Sequence, residues 1–326
     1  MSNAEFAIVG AGAIGSLLGA HLARAGHDVL MIARGERAAH LERVGLSVRG
    51  LREFSQPVRV LSDPSRLRSA ETLIMATKTY ATAEALESLR GARVGVAFSI
   101  QNGLLKNEQL AAAWGRERVL GAIADTSGEL TQTGEVLFTR NEQLLIGELS
   151  GAPSARAGRL AGIIDSAGVR ASEVAEIQNF EWSKFAAWTG LMVLSIETRA
   201  PTWQYLTDAD AARVLARLVR EVGALASASG IALSDRAPLP VAMLVRGSED
   251  DAVAVIQAAG ARFKASAPEH KMSSLQDLEA GRRIEVEETL GYAVRLAAQA
   301  RLSLPLLESS YRIASSIDRI RRSLVQ

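Results

Sequence analysis

The sequence contains no cysteine, which excludes disulfides, thiolate metal sites and cysteine nucleophiles. Aromatic residues make up only 5% of it, and neither sign of charge dominates, because 37 basic side chains face 36 acidic ones. This balance argues against a nucleic-acid or membrane-surface role. A secretory signal pattern is also lacking, and the most apolar late stretch, residues 185–196, is too short to span a membrane. We therefore expect a cytoplasmic protein whose catalysis uses groups other than thiols.

A glycine-rich turn follows the first apolar run of the chain, residues 6–9, and precedes an amphipathic helical pattern. The turn consists of Gly10, Ala11, Gly12, Ala13, Ile14 and Gly15. In this pattern the first glycine allows a tight turn, the second lets the backbone approach a pyrophosphate, and the third lets helix and strand pack closely. A second apolar strand, residues 28–33, completes the expected context. The sequence therefore predicts a dinucleotide site at a helix N-terminus.

The residue that follows the second strand bears on which cofactor is used. An acidic residue there would accept a hydrogen bond from the ribose 2'-hydroxyl of NAD. This chain has Arg34 instead, and a planar guanidinium matches the oxygens of the 2'-phosphate of NADP. Arg37 could act as a second clamp, although Glu36 between the two arginines weakens the charge argument and a solvated basic face is the alternative interpretation. The sequence thus favours NADP over NAD.

Strand and helix patterns alternate up to about residue 175, as in a doubly wound α/β sheet. Strands are predicted at 71–76, 93–100, 119–124 and 169–174, with a hairpin of 46–49 and 57–61, an antiparallel pair of 134–138 and 143–147, and a helix over 154–167. Lys78 and Asn102 each follow a predicted parallel strand, at the sheet edge where such folds bind ligands. The plainer alternatives are an exposed lysine that opens a helix and an ordinary Asn-Gly turn.

From residue 177 onward the pattern becomes helical only. Besides a first helix that ends near residue 200, helices are predicted at 210–229, 237–245, 250–260, 275–300 and 307–324, with a loop over 261–271. The predicted organisation is therefore an N-terminal Rossmann-type NADP-binding domain, residues 1–175, and a C-terminal all-helical substrate and catalytic domain, residues 176–326.

Six motifs occur in an order that resembles the ketopantoate reductase family over almost the whole chain. They are the glycine turn at 10–15, Arg34, Lys78-Thr-Tyr, Gln101-Asn-Gly-Leu104, Trp182-Ser-Lys184, and the run from Ser273 through Leu-Gln-Asp and Gly-Arg-Arg to Glu285. The resemblance implies NADPH-dependent reduction of a 2-oxo acid, ketopantoate to pantoate in the parent activity of pantothenate biosynthesis. Hydride then passes from C4 of the nicotinamide to the substrate carbonyl carbon. Homodimers are common in that family.

The resemblance also implies roles for individual residues. Lys184 is at the position of the family's catalytic lysine, where an ammonium can stabilise and protonate the carbonyl oxygen as hydride arrives. Glu285 is at a position that helps to bind the cofactor and to orient that lysine. Ser273 corresponds to the serine that holds the substrate carboxylate, and Lys78 and Asn102 to cofactor and substrate contacts. Without the resemblance, Lys184 would be read as a helix-surface lysine, and Glu285 as part of a solvated helical charge pattern.

The substrate half departs from the family pattern. Asparagines that bind the substrate four and eight residues after the lysine are replaced by Trp188 and Met192, and two later polar positions are Thr202 and His270. A site that hydrogen-bonds a hydroxyl discriminates by roughly 10⁴ to 10⁵ against analogues without it. One hypothesis is therefore a bulkier or more apolar 2-oxo acid that packs against Trp188 and Met192. The alternative is that these two residues belong to the helix core while other groups bind the hydroxyl.

A third hypothesis is a non-catalytic sensor that binds NADPH, although retention of Lys184 and Glu285 speaks against it. His21, His27 and His40 show no metal-ligand spacing, so no metal site is predicted and these histidines are expected to be structural or exposed. The partners predicted for this chain are a small 2-oxo acid and, by resemblance, a second copy of itself.

Overall fold

The chain divides into two compact units, and the boundary between them along the sequence falls between Gln178 and Asn179. The computed structural model describes residues 2–235 and 238–323. Each unit is described by itself below.

The first unit alternates strands and helices. Its strands are β1 Ser2–Val9, β2 Val29–Ile32, β3 Leu46–Gly50, β4 Phe54–Gln56, β5 Arg59–Leu61, β6 Leu67–Met75, β7 Arg93–Ser99, β8 Val119–Leu130, β9 Val136–Glu148 and β10 Ala171–Glu173. Its helices are α1 Ala13–Arg24, α2 Gly35–Val44, α3 Thr82–Leu89, α4 Leu105–Trp114 and α5 Ala155–Ser166, with short 3₁₀ turns at Pro64–Arg66, Thr79–Ala81 and Arg116–Arg118.

One mixed sheet forms the centre of this unit, in the order β4-β3-β9-β8-β7-β6-β1-β2-β5, with β10 paired to β9. The strands from β8 to β5 along this order are parallel, and β8 and β9 are antiparallel. Apolar clusters cover both faces of the sheet: Leu17 and Leu160 of α1 and α5 belong to one, Leu89 and Leu110 of α3 and α4 to the other. The predicted doubly wound α/β fold is confirmed.

Two local predictions for the sheet were wrong. The predicted hairpin of 46–49 and 57–61 does not form. Strand β3 pairs antiparallel with β4 instead, and β5 pairs in parallel with β2. Pro57 stands between β4 and β5 and has no N–H to donate, so the chain cannot continue the ladder through it. Residues 134–138 and 143–147 belong to one long strand, β9, rather than to an antiparallel pair. Its pairing with β8 continues over its whole length, with register shifts opposite Asp125/Thr126 and Ser127/Gly128, where β9 has one extra residue each.

The described part of the second unit, residues 179–235 and 238–323, is helical and contains no strand. Helix α6, Ile177–Thr198, begins at the end of the first unit. It is followed by α7 Thr202–Thr207, α8 Ala209–Ala228, α9 Val241–Arg246, α10 Glu249–Ser266, α11 Ser273–Glu279, α12 Leu290–Gln299 and α13 Pro305–Ser323. The predicted helix ends at residues 237 and 324 lie outside the described residues.

The predicted helix over 275–300 was wrong, because the chain leaves the helical conformation between α11 and α12. Gly281 has a φ of +68° and follows Ala280, the residue that caps α11, a position where glycine commonly terminates helices. Helix α10 also continues to Ser266, so the loop predicted from 261 starts later, and the short α7 was not predicted. Glu285 consequently lies in a non-helical segment, and the helical charge pattern considered for it does not exist.

Candidate active site

The glycine turn connects β1 to α1, and steric contacts explain two of its glycines. Gly10 has a φ of +104°, and a Cβ there would lie 2.7 Å from the backbone nitrogen of Thr77. A Cβ on Gly15 would collide with the carbonyl oxygen of Gly10. These two positions therefore keep the helix close to the strand, as the sequence pattern requires.

Gly12 differs from Gly10 and Gly15, the other two glycines of the turn, because a Cβ on it would meet no atom within 4 Å. It is the N-cap residue of α1, has no side chain to cap the helix, and no acidic residue occupies the first turn. The backbone N–H groups and the positive end of the helix dipole are thus left for an external anion. The turn fits the diphosphate of a dinucleotide.

A cavity of about 320 Å³ lies beside the turn. Its lining residues are Val9, Gly10, Ala11, Gly12, Ile32, Ala33, Arg34, Arg37, Pro64, Thr77, Ala81, Glu84 and Ala85. A size of this order is typical of small-molecule sites, and so is a mostly apolar lining with a few charged groups. The turn and Arg34, both predicted as cofactor contacts, share this one cavity.

The two arginines after β2 are held differently. The Arg34 guanidinium forms an ion pair with Glu84 and donates to Ser88 Oγ at 3.2 Å, and half of its side-chain surface is exposed. Arg37 donates from Nε to the Ala11 carbonyl at 3.0 Å and from its other nitrogens to Gly134 O and Ser16 Oγ. Burial lowers the pKa of Arg37. We therefore regard Arg37 as a residue that holds the glycine turn, rather than as a second phosphate clamp.

Lys78 and Asn102 lie just beyond the carboxyl ends of the adjacent parallel strands β6 and β7, and both are half-buried. The neighbouring Gln101, which sequence analysis left without a role, ties the two strand ends together. Its Nε2 donates to the Thr77 carbonyl at 2.8 Å and to Thr82 Oγ1 at 2.7 Å, while Ser99 Oγ donates to its Oε1. The loop that carries Asn102 is thus fixed by a buried polar network.

Sequence analysis also missed Lys106, a buried lysine in α4. Its ammonium donates to the carbonyl oxygens of Ser99, at 3.1 Å, and Ala122. It therefore joins the end of β7 to β8 beneath the Asn102 loop. The local sequence Leu-Lys-Asn-Glu is typical of a solvated helix start, and both carbonyl partners belong to other elements. No local signal could have identified this contact.

Helix α6 carries the predicted catalytic lysine. Between Glu181 and Ile196 every residue except Lys184 is buried, and Lys184 keeps partial exposure. Trp188 and Met192 follow one and two turns later on the same face, with relative exposures of 6% and 0%. The Trp188 ring stacks on Phe185 with their centroids 6.2 Å apart. This burial favours the helix-core interpretation of Trp188 and Met192.

Two predicted polar positions, Thr202 and His270, are brought together. The Thr202 N–H donates to the His270 carbonyl at 2.9 Å, and the Thr202 hydroxyl lies 2.9 Å from His270 Nδ1. Tyr205 donates its hydroxyl to Thr202 Oγ1 at 3.2 Å, and burial raises the pKa of this tyrosine. His270 is exposed while its partner Thr202 is buried. The orientation of the His270 ring is therefore set by Thr202.

The segment around α11 holds the last predicted site residues. Ser273 is the exposed first residue of α11, whereas the next residue, Ser274, is buried with its Oγ 3.3 Å from that of Ser195. Glu285 is buried, and its backbone carbonyl accepts a hydrogen bond from Thr289 Oγ1. Glu288 forms an ion pair with Arg283 at 3.0 Å.

The described residues offer neither a metal site nor a membrane span. No cluster of potential metal ligands occurs among residues 2–235 and 238–323. Within these ranges, none of the helices combines the length and apolar character needed to cross a bilayer.

The glycine turn at the carboxyl edge of a doubly wound sheet defines a dinucleotide-binding class of protein. Two family descriptions match the chain: "Ketopantoate reductase PanE/ApbA" over residues 6–151 and "Ketopantoate reductase PanE/ApbA C terminal" over residues 176–318. The chain belongs to the ketopantoate reductase family. It is therefore an oxidoreductase of the 2-dehydropantoate 2-reductase type that uses a nicotinamide dinucleotide and a small-molecule substrate.

Individual relatives agree with this assignment. The chain is 30% identical over 291 residues to a 2-dehydropantoate 2-reductase of Archaeoglobus fulgidus, covering 88% of this chain and 89% of the relative. A PanE/ApbA family ketopantoate reductase structure from Ralstonia eutropha superposes with a TM-score of 0.82 at 25% identity, covering 98% and 100% of the two chains. D-mandelate dehydrogenase in a ternary structure with NADH and anilino(oxo)acetate has a TM-score of 0.83 at 17% identity, covering 98% and 99%. The last likeness shows a shared fold.

Proposed function

We propose that this protein reduces a 2-oxo acid to a 2-hydroxy acid with NADPH, with ketopantoate, the precursor of pantoate, as the default substrate. In this proposal residues 1–175 bind NADPH, and residues 176–326 supply the catalytic and substrate-binding groups. The observation that carries the catalytic part is Lys184, which alone keeps partial exposure in the otherwise buried stretch from Glu181 to Ile196. Full burial of an ammonium is costly, so partial exposure keeps Lys184 charged and able to donate hydrogen bonds, as the proposed role requires.

Bound NADPH supplies the hydride. As the substrate carbonyl is reduced, negative charge develops on its oxygen, and the Lys184 ammonium offers three donors to that atom and a proton to complete the hydroxyl. We assign Glu285, a buried carboxylate, to binding the cofactor and orienting Lys184. Proton transfer to the substrate is left to the lysine.

The remaining groups are assigned to binding. Gly10 to Gly15 and Arg34 hold the diphosphate and the 2'-phosphate, while Lys78 and Asn102 contact the cofactor and substrate from the edge of the sheet. Ser273, at the exposed start of α11, is assigned to binding the substrate carboxylate. His270, whose ring is held by Thr202, is assigned to a further polar contact with the substrate.

The substitution of Lys184 tests the catalytic assignment. We expect Lys184→Ala to lower kcat/KM with ketopantoate by about 10² to 10³-fold, because a donor to the developing oxyanion is lost, while the Kd for NADPH changes little. Lys264→Ala is the matched control, since that lysine stacks on Trp203 at 4.7 Å and has no assigned role in catalysis. An unchanged kcat/KM in Lys184→Ala would reject Lys184 as the catalytic lysine. Tight NADPH binding without turnover of any 2-oxo acid in the unaltered protein would instead support the sensor hypothesis.

A second candidate function keeps this chemistry but changes the substrate. It is suggested by the sequence at Trp188 and Met192, where apolar side chains replace the family's hydrogen-bonding asparagines, although the burial of both side chains favours a place in the helix core. NADPH oxidation followed by absorbance with ketopantoate, branched and aromatic 2-oxo acids separates the two. Rapid turnover of ketopantoate alone supports the default substrate. Turnover of only a bulkier acid supports a refitted pocket.

We also propose that the protein works in the cytoplasm and forms a homodimer. The first proposal is supported by its membership of a family of biosynthetic reductases acting on small molecules. The second is supported by the dimeric ketopantoate reductase of Staphylococcus aureus, which shares the fold with a TM-score of 0.74. Sedimentation velocity measured at several protein concentrations tests the dimer, which would give twice the monomer mass of 34.7 kDa.

A further inference from the structure

The guanidinium of Arg34 already has an anionic partner within its own unit. Its NH1 pairs with the carboxylate of Glu84, and its NH2 donates to Ser88 Oγ at 3.2 Å. Ser88 Oγ in turn donates to the Glu84 carbonyl at 2.9 Å, so both acceptors are fixed on one turn of α3. Arg34 therefore reaches from the end of β2 to α3.

This pair belongs to the cavity beside the glycine turn. Arg34 and Glu84 both line it, together with Gly10, Gly12 and Thr77. Glu84 is 50 residues from Arg34 along the chain, and it is on α3, not at the end of β2 where an acidic residue selects NAD in related folds. The cavity thus contains a cation that suits a 2'-phosphate and, paired to it, a carboxylate that suits a 2'-hydroxyl.

The two groups favour different cofactors. A 2'-phosphate carries up to two negative charges and competes with Glu84 for the Arg34 donors, while the carboxylate itself repels it. A 2'-hydroxyl is neutral, can donate to a carboxylate, and leaves the ion pair intact. Glu84 therefore opposes the preference that Arg34 confers.

We propose that Glu84 is a specificity-determining residue, which restrains the preference of this cavity for NADPH and thereby lets it accept NADH as well. The inference rests on the proposed function, in which Arg34 binds the 2'-phosphate. Since 50% of the Arg34 side-chain surface and 71% of that of Glu84 are exposed, the competition is screened by solvent. We expect effects of about 3- to 10-fold in affinity rather than several orders of magnitude.

The test measures fragment binding, so that it does not depend on turnover. The dissociation constants of 2',5'-ADP and 5'-AMP are determined by calorimetry with the full-length protein and with Glu84→Gln, Arg34→Ala and the double variant. Glu87→Gln is the matched control, because Glu87 is exposed on the same helix and pairs with Arg90 at 3.0 Å. Thermal unfolding of each variant verifies that it is folded.

We expect Glu84→Gln to tighten 2',5'-ADP about 3- to 10-fold, leave 5'-AMP unchanged or slightly weaker, and lose most of its effect when Arg34 is absent. Glu87→Gln should change neither constant by more than about 2-fold. An unchanged or weakened affinity for 2',5'-ADP in Glu84→Gln would overturn the proposal, and so would an equal gain in the Arg34→Ala background.

The same measurements separate this inference from the function on which it rests. If Arg34→Ala leaves 2',5'-ADP binding unchanged, the assignment of the 2'-phosphate to Arg34 fails, and the inference fails with it. If Arg34→Ala weakens 2',5'-ADP about 10-fold or more while Glu84→Gln has no effect, only the role of Glu84 is rejected. In that case the proposed use of NADPH stands.

Discussion

The two units build their candidate sites from different materials. In the first unit the decisive features belong to the backbone: Gly10 and Gly15 leave room for close packing, and Gly12 exposes the first turn of α1. In the second unit they are side chains on α6, where Lys184 stands beside the buried Trp188. A site made of backbone tolerates little local change, whereas side chains on a helix can be exchanged while the fold persists. Under the proposed function, cofactor binding is thus tied to the first unit's geometry, and substrate choice is open to variation in the second.

The largest effects should come from the glycine turn, where packing and cofactor binding can be separated. We expect Gly15→Ala to destabilise the protein by at least about 3 kcal/mol, because the new Cβ collides with the backbone at Gly10. Gly12→Ala should leave the Tm nearly unchanged, since a Cβ there meets no protein atom within 4 Å. It should nevertheless weaken NADPH about 10-fold or more by blocking the approach of the pyrophosphate.

Thermal unfolding and fluorescence titration with NADPH provide the two readings. Gly162→Ala is the control, because a Cβ on Gly162 in α5 would meet no atom within 4 Å and this glycine does not have a positive φ. Gly26→Ala is unsuitable, because the φ of Gly26 is +94° and an alanine there would be strained. Normal NADPH affinity in Gly12→Ala would remove the reason for assigning the diphosphate to this turn.

The next largest effect concerns Trp188 in α6, whose ring we expect to stabilise the helix core. Trp188→Ala is expected to cost about 3 kcal/mol of unfolding free energy, because a side chain only 6% exposed would leave a cavity. Trp203→Ala is the control, since Trp203 is half-buried and should cost less. Urea unfolding measures both. A loss below about 1 kcal/mol for Trp188→Ala would show that this ring is not part of the core and would favour a place in the substrate pocket.

A smaller loss of stability is expected at Lys106, where the first unit is stabilised by a buried side chain rather than by its backbone. We expect Lys106→Met to destabilise the protein by about 2 kcal/mol: the apolar stem is kept, but two carbonyls, Ser99 and Ala122, lose their donor. Loss of a costly buried charge offsets part of this effect. Arg90→Met, which removes a surface cation, should change stability by less than about 0.5 kcal/mol. Equal stability of the two variants would mean that the buried ammonium is dispensable.

The sequence predicts best those features that depend on local geometry. The glycine turn, Arg34 after β2, and Lys78 and Asn102 at strand ends could all be located from spacing, because turns and strand ends have local signals. The doubly wound sheet and the helical second unit followed from the change in periodicity. Recognition of Lys184 as a candidate required the family resemblance, since its surroundings resemble those of any lysine on a helix.

Contacts between distant residues could not be predicted. Arg34 and Glu84 are 50 residues apart, Lys106 and Ala122 are 16 apart, and neither pair has a periodic signal. The non-helical segment around Glu285 was missed because its composition suits a helix, and only the left-handed Gly281 interrupts it. Contacts of this kind depend on the completed fold, which a local pattern does not encode.

The smallest effect compares the two units by the pH dependence of their stability. Burial lowers the pKa of His21 in α1 below its ordinary 6.5, so its stabilising effect is complete above pH 6.5 and is lost as pH falls through the lowered value. Burial raises the pKa of Glu288 above its ordinary 4.5, so its contribution is complete below pH 4.5 and is lost as pH rises through the raised value. The two groups therefore oppose each other between these limits.

We expect His21→Gln to flatten the loss of stability on acidification below pH 6.5, and Glu288→Gln to flatten the loss on raising the pH above 4.5. Each slope is at most about 1.4 kcal/mol per pH unit, the value for a single proton. Urea unfolding between pH 4.5 and 8 measures both, with His27→Gln as the control for a more exposed histidine of the same unit. If His21→Gln loses as much unfolding free energy below pH 6.5 as the unaltered protein does, the destabilising proton binds to another group. The contrast between His21 in the first unit and Glu288 in the second would then not hold.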